Sequence, residues 1–174
     1  MPNWIEGYMK IRGKSKDVYR FVSNGFELKK YKYIKDEDGV YKEVVEEISV
    51  NGFDSRFTRI DEENFYANIW LLDKSHIKGT RRAFINNEKV IFIDDFSSEK
   101  EMTISIPIKQ AWGFFENDYK KISDEYDVDI RLIGWECGMM FKQEAEILRG
   151  CDPVCKETKY RDWEWGAECP DFGG

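Results

Sequence analysis

The chain has 174 residues, a formal net charge of -7 and 35% charged residues. Its length predicts a single domain over 1–174, with 1–100 and 101–174 as candidate lobes. The acid excess is untypical of a general nucleic-acid binder, which carries a basic balance or a strong basic patch. It favours either simple solubility or an acidic surface that meets a basic partner.

Two features of the sequence bear on location. No apolar run approaches the roughly 20 residues of a membrane span. The opening Met1-Pro2-Asn3-Trp4-Ile5-Glu6 lacks the basic and apolar regions of a signal peptide. We therefore expect a cytoplasmic protein without a membrane partner, in which the four cysteines are reduced thiols.

The first 25 residues predict a strand over 4–11 followed by a helix. Ser15 is the expected N-terminal cap, and Gly25 is the expected C-terminal stop. One apolar stripe of this helix faces the core and consists of Val18, Phe21 and Val22.

The middle of the chain predicts antiparallel strands. The expected pairs are 29–33 with 40–50 around Asp38-Gly39, 56–60 with 65–72, and 82–85 with 89–94 around Asn86-Asn87-Glu88. Residues 102–108 alternate as another strand, which Pro107 marks as an edge or an exit. An edge left open there would let two chains pair, so we expect a monomer or a homodimer.

The last third of the chain predicts a helix over 110–126 and two strands over 128–133 and 141–148. The helix has an apolar periodicity of three and four, carried by Trp112, Phe115, Tyr119, Ile122 and Tyr126. A turn or bulge is expected at 134–138, and a short strand near 160–165. The fold class predicted from this order is α+β, a mostly antiparallel sheet with two main helices on one face, of which the ferredoxin-like topology is the simplest form.

Three groups of residues suggest a binding site for a metal ion or an anion. Soft metal ligands are available at Cys137, Cys151, Cys155 and Cys169, but only one close pair exists, so zinc competes with free thiols. Asp94-Asp95 at a strand end would suit Mg²⁺ and a small hydrolase, or would simply be solvated. Gly13-Lys14-Ser15-Lys16 before a helix would hold an anion, or would be a capped helix with solvated lysines.

Two further patterns involve a histidine and basic residues. His76 is expected in a loop, either solvated or acting as a general base. The basic-aromatic residues Lys30, Tyr31 and Tyr33 would bind nucleic acid together with Arg81 and Arg82 if all lay on one sheet face. The alternative is an edge strand protected by its lysines. The sequence predicts no cofactor.

Two segments resemble the Api/YubB-like group of phage- and plasmid-borne proteins. The first is Met1-Pro2-Asn3-Trp4 with the following strand, Gly13 and short helix. The second runs from Ile104-Ser105-Ile106-Pro107 and Trp112 through Ile122-Ser123-Asp124-Glu125-Tyr126 to Trp135-Glu136-Cys137-Gly138-Met139-Met140-Phe141. The resemblance implies a ferredoxin-like fold and a mobile genetic element as the source, and it implies no established catalytic activity.

We therefore expect a non-enzymatic phage or prophage protein that binds a host protein in the bacterial cytoplasm, to blunt a defence or redirect an enzyme. The expected interaction turn contains Trp135, Glu136 and Gly138, with Trp135 packed inward and Glu136 capping free N–H groups. Trp163 and Trp165 are expected as exposed contact residues. The alternatives are the nucleic-acid-binding module and, more weakly, the metal-dependent hydrolase.

Overall fold

The computed structural model describes residues 3–27, 29–35, 41–47, 58–61 and 65–169, with side chains for 3–27 and 65–169. The described helices are α1 (Ser15–Asn24), α2 (Glu116–Tyr126) and α3 (Trp163–Gly166). The described strands are β1 (Trp4–Lys14), β2 (Phe26–Glu27), β3 (Lys29–Lys35), β4 (Tyr41–Glu47), β5 (Thr58–Asp61), β6 (Tyr66–Leu71), β7 (His76–Ile77), β8 (Ala83–Ile85), β9 (Lys89–Ile93), β10 (Glu101–Ala111), β11 (Asp129–Glu136), β12 (Phe141–Ile147) and β13 (Val154–Lys159).

An antiparallel sheet of eight strands dominates the molecule, in the order β13-β12-β11-β1-β10-β8-β7-β2. The N-terminal strand β1 lies between β10 and β11, so the two ends of the chain share one sheet. Strands β3 and β4 form a separate pair, and β5, β6 and β9 form a small sheet. The expectation of an α+β protein with a mostly antiparallel sheet is confirmed.

Helices α1 and α2 both contact strands of the large sheet and contact each other, with the rings of Phe21 and Tyr126 5.2 Å apart. Alternate residues of β1 point at the helices and are buried, as the period of two requires. The predicted helix stripe of Val18, Phe21 and Val22 is buried against the sheet. Gly25 ends α1, and its N–H donates to the Phe21 carbonyl, also as expected.

Two predicted strand pairs are present and one is wrong. Strand β3 pairs with β4 and β5 with β6, while the turn at Asp38-Gly39 lies outside the described residues. Strands β8 and β9 do not form a hairpin, because β8 pairs with β7 and β10 whereas β9 pairs with β6. The segment 86–88 instead carries the chain from one sheet to the other, with the Asn86 N–H bound to the Pro107 carbonyl.

The helix predicted over 110–126 begins six residues later. Gln110 and Ala111 belong to β10, and Trp112 and Gly113 have φ values of 65° and 125°, which an α-helix excludes. Trp112 and Phe115 therefore match the apolar period of α2 by chance, although both lie before the helix begins at Glu116.

Three smaller expectations are also corrected. Pro107 does not mark the exit of a strand, because β10 continues to Ala111; it adjoins the ladder with β8, which covers only 108–110. Strand β11 continues through Glu136, and the turn covers 137–140. The strand expected near 160–165 is β13, which ends at Lys159 and is followed by α3.

Candidate functional site

One end of the large sheet gathers most of the tryptophans. Strand β1 begins there, β10 and β11 end there, and the registers Trp4 with Ala111 and Glu6 with Trp135 align them. We define the tryptophan end as these strand ends with the segments 78–82, 112–115, 137–140 and 160–169. Of six tryptophans in the chain, five lie at this end: Trp4, Trp112, Trp135, Trp163 and Trp165. The sixth, Trp70, is in β6.

Four large apolar side chains are exposed at the tryptophan end. Their exposed fractions are 59% for Trp112, 62% for Met139, 39% for Met140 and 90% for Trp165. Backbone contacts connect the segments that carry them. The Trp112 N–H donates to the Asn3 carbonyl over 2.8 Å, and the Tyr160 N–H donates to the Met140 carbonyl over 2.8 Å.

Three bulky residues at this end have left-handed backbone conformations. The φ values are 51° for Arg82, 65° for Trp112 and 53° for Met140. Bulky L residues rarely adopt this region, and such conformations persist where the surrounding structure holds them. The exposed side chains of Trp112 and Met140 are therefore set at defined angles to the sheet.

Arginine side chains support the aromatic rings. The Arg82 guanidinium carbon lies 5.9 Å from the Trp4 ring centroid and 5.5 Å from that of Trp112. Arg81 lies 3.9 Å over the Phe115 ring and pairs with Asp118 over 3.3 Å. These are cation–π distances, so the two arginines hold the 78–82 loop against 112–115.

A small second core anchors the tail. Trp135, Trp163 and Ala167 are buried together. Their Glu168 neighbour accepts hydrogen bonds from Trp135 Nε1 at 3.2 Å and from the Tyr160 hydroxyl at 2.8 Å. The Tyr160 hydrogen bond, with the others, lowers the pKa of Glu168 to about 2. Trp163 is only 7% exposed, so the expectation that it is an exposed contact residue is wrong, whereas Trp165 is exposed.

Glu136 organises the turn between β11 and β12. Its carboxylate is buried and accepts from the backbone N–H groups of Gly138, at 3.0 Å, and Met139. A Cβ at Gly138 would approach Glu136 Oε1 to 2.9 Å, so glycine fits this turn. The predicted cap and the inward packing of Trp135 are both present. The hydrogen bonds of Glu136 and the packing of Trp135 thus hold the turn that carries Met139 and Met140.

The predicted anion site is filled by the chain itself. The Glu99 carboxylate bonds Lys14 at 2.7 Å and also Lys16, at the start of α1. Hydrogen bonds from these two lysines lower the pKa of Glu99 to about 2. The backbone N–H groups of Ser15 and Lys16 donate to carbonyls of Lys100 and Ser98. An intramolecular carboxylate thus takes the place expected for a phosphate.

The predicted metal ligands do not converge. Cys151 and Cys155 are exposed, while Cys137 and Cys169 pack beside the Trp135 and Trp163 core. Asp95 caps its own loop by accepting from Ser97. Among the described residues, no group of three or more His, Cys, Asp or Glu side chains is placed to hold a metal ion.

The basic-aromatic strand and the histidine have different outcomes. Lys30, Tyr31 and Tyr33 lie in β3, and their side chains are outside the described residues. Their predicted companions Arg81 and Arg82 lie at the tryptophan end. The expectation that His76 lies solvated in a loop is wrong, because it lies in β7 and is 3% exposed.

The sheet face opposite the buried residues of β1 carries a cationic pair that sequence reading missed. Lys10 on β1 lies directly across from Arg131 on β11. Within the described part of the chain neither makes an ion pair, although Glu146 faces Arg131 from β12. A depression of about 190 Å³ is lined in part by Lys10, Arg12 and Arg131.

No protein-family model matches this chain, and neither a curated protein nor a solved structure is detectably similar to it. Within the ranges that the structure describes, no helix is both long and apolar enough to cross a membrane.

Proposed function

We propose that this chain is a non-enzymatic interaction protein that contacts a partner protein through the tryptophan end. The observation that carries the proposal is the exposure of Trp112, Met139, Met140 and Trp165 together at the tryptophan end of the large sheet. Aromatic residues, methionine and arginine are enriched in protein interfaces, and tryptophan and arginine dominate their hot spots.

The support beneath these residues fits such a role. Buried Trp135, Trp163 and Glu136 fix the backbone of the segments that carry Met139 and Trp165, so little backbone freedom remains to be lost on binding. The net charge of -7 favours a basic partner surface, because complementary charge speeds association.

The resemblance to the Api/YubB-like group supports a phage or prophage source and a host protein as the partner. The outcome of binding would be inhibition of a host defence or redirection of a host enzyme. The chain order β1-α1-β8-β10-α2-β11, with those strands adjacent as β11-β1-β10-β8, supports a ferredoxin-like core inside the larger sheet.

Affinity capture from bacterial lysate, with and without nuclease, tests the proposal. We expect one protein to be recovered in both conditions by the unmodified chain, and lost with Trp112→Ala/Trp165→Ala. The matched control is Phe92→Ala/Val154→Ala, whose exposed side chains lie away from the tryptophan end. Equal recovery by all three proteins would contradict the proposed surface, and recovery that needs nucleic acid would favour the alternative.

A second candidate function is nucleic-acid binding by the sheet face that carries Tyr8, Lys10 and Arg131. Like charges directly opposite each other destabilise a sheet, and Lys10 with Arg131 is such a pair. A phosphate between them would remove this repulsion, and half-exposed Tyr8 on the same face offers a stacking surface.

Anisotropy of a labelled single-stranded oligonucleotide distinguishes this candidate. Binding that weakens steeply between 50 and 200 mM salt, as expected for phosphate contacts, and that is lost in Lys10→Gln/Arg131→Gln, would support it. Lys74→Gln/Lys89→Gln, which removes two exposed lysines elsewhere, is the control. Absence of binding at low salt would end this candidate.

A further inference from the structure

Both ring nitrogens of His76 face hydrogen-bond acceptors. Nδ1 lies 2.9 Å from Glu27 Oε1 on β2, and Nε2 lies 3.1 Å from the Thr80 carbonyl oxygen. A carbonyl only accepts, so Nε2 must carry a proton. An ionised carboxylate also only accepts, so Nδ1 must carry one as well.

The second proton belongs to the ring rather than to Glu27. An imidazole is intrinsically more basic than a carboxylate by about two pKa units. Glu27 is also partly exposed, so water helps to stabilise its charge. Burial of the ring opposes the imidazolium, and the Glu27 carboxylate at 2.9 Å offsets that cost. The pair is therefore an imidazolium and a carboxylate, and both residues take part in further interactions as well.

Other charged groups lie on the elements around the ring. The following loop carries Lys78 and Arg81, and Arg81 pairs with Asp118 on α2. Strand β8 presents the ring of Phe84, whose centroid is 5.4 Å from that of His76. Of the charged groups named, Glu27 is the one that forms an ion pair with the imidazole.

Loss of one proton would break one of the two contacts. A neutral imidazole has a single N–H, and a bond to a carboxylate is stronger than a bond to a carbonyl. The neutral ring would thus keep Glu27 and release Thr80. Thr80 belongs to the loop that places Arg82 between Trp4 and Trp112. Because the Lys78 N–H bonded to the Gly25 carbonyl and the Arg81 N–H bonded to Asp118 also hold this loop, loss of the Thr80 contact loosens it without releasing it.

We propose that His76 is a buried imidazolium that clamps the 78–82 loop to β2, and that its deprotonation loosens the arginine support of the tryptophan end. The clamp stands on the hydrogen-bond geometry alone. Its effect on partner binding rests on the proposed function.

Long-range ¹H–¹⁵N NMR of the full chain tests the clamp without any partner. The chain has one histidine, so one imidazole is observed. From pH 5 to 9 we expect both nitrogens to remain protonated past neutrality, with a midpoint above the pKa of about 6.5 of a solvated imidazole. A midpoint at or below about 6.5, or one protonated nitrogen at pH 7, would overturn the proposal.

Two variants test whether the charge of Glu27 raises the midpoint of His76. Glu27→Gln keeps an acceptor but removes the charge, and should lower the midpoint. Glu88→Gln, which removes an exposed carboxylate, should leave it unchanged. An unchanged midpoint in Glu27→Gln would contradict the ion pair.

The same NMR titration shows whether deprotonation of His76 affects the tryptophan end. Amide signals of 79–82 and the indole signals of Trp4 and Trp112 should follow the midpoint of the ring in the unmodified chain and in Glu27→Gln. If the ring titrates as expected while these signals stay still, the clamp does not act on the tryptophan end. Failure of the proposed function would show separately, as partner capture that does not depend on Trp112.

Discussion

Trp163 and Trp165 show how two nearby residues of one type take different roles. They are two positions apart in α3, and positions two apart on a helix point to different sides. Trp163 packs on Trp135 and Ala167, whereas Trp165 faces solvent. One tryptophan holds the tail and the other is available for contact.

We expect Trp163→Ala to lower the free energy of unfolding by about 3 kcal/mol, as for a buried tryptophan, and to undock the tail. Trp165→Ala should change it by less than about 0.5 kcal/mol. Chemical denaturation gives the energies, and tryptic cleavage after exposed Arg161 reports the undocking. Similar stabilities for the two variants would contradict the assignment.

Glu136 is buried, and its two hydrogen bonds to backbone N–H groups give it a structural role in the turn after β11. Removing its carboxylate leaves two backbone N–H donors without their acceptor. We expect Glu136→Ala to destabilise the protein by about 2 kcal/mol, and Glu136→Gln, which keeps one acceptor oxygen, by about half as much. Urea denaturation at pH 7 measures both. An alanine variant as stable as the unmodified chain would show that the turn does not need this cap.

At the scale of elements, Asp129 joins β1, β11 and the turn after β12. Its carboxylate accepts from Arg12 at 2.7 Å and from the Arg149 backbone N–H at 3.0 Å. Burial opposes the charged form, but the hydrogen bonds from Arg149 and Arg12 outweigh it and hold the pKa of Asp129 below its ordinary value. This contact closes the sheet end opposite the tryptophans.

The lowered pKa fixes the sign of a pH effect. A carboxyl with a depressed folded pKa stabilises the protein above its unfolded pKa, about 3.9, and loses that contribution as the pH falls through the folded pKa. We expect Asp129→Asn to be less stable by about 2 kcal/mol at pH 7. Thermal unfolding of both proteins from pH 7 to pH 2 should show this gap narrowing below about pH 4. A gap that stays constant would mean the charge of Asp129 is not the stabilising feature.

Local patterns predicted elements better than their pairing. The alternation and helix stripe at the N-terminus are borne out, because those residues contact the core through their own periodicity. Residues 83–93 contain two strand patterns with turn residues between them. Strand β8 nevertheless pairs with β10, and β9 pairs with β6, rather than with each other. No local signal distinguishes a hairpin from two strands that belong to different sheets.

At the scale of the molecule, the tryptophan end follows from topology. Its residues come from five separate parts of the sequence and meet only because β1 inserts between β10 and β11. The sequence named the turn with Trp135, Glu136 and Gly138, but Trp135 and Glu136 are buried and its exposed side chains are Met139 and Met140, which were not predicted as contacts. Trp165 is exposed, as predicted. Trp112 could not be named from the sequence, because its spacing fits the helix that actually begins at Glu116.

The affinity of the captured partner for tryptophan-end variants tests the central claim most directly. Calorimetry would compare the unmodified chain, Trp112→Ala/Trp165→Ala and Phe92→Ala/Val154→Ala, each first shown to unfold like the unmodified chain. Loss of even one interface hot spot should weaken the Kd by about 30-fold or more in the tryptophan variant, with little change in the control. A tryptophan variant that binds within about twofold of the unmodified chain, less than about 0.5 kcal/mol, would contradict the assignment of this surface.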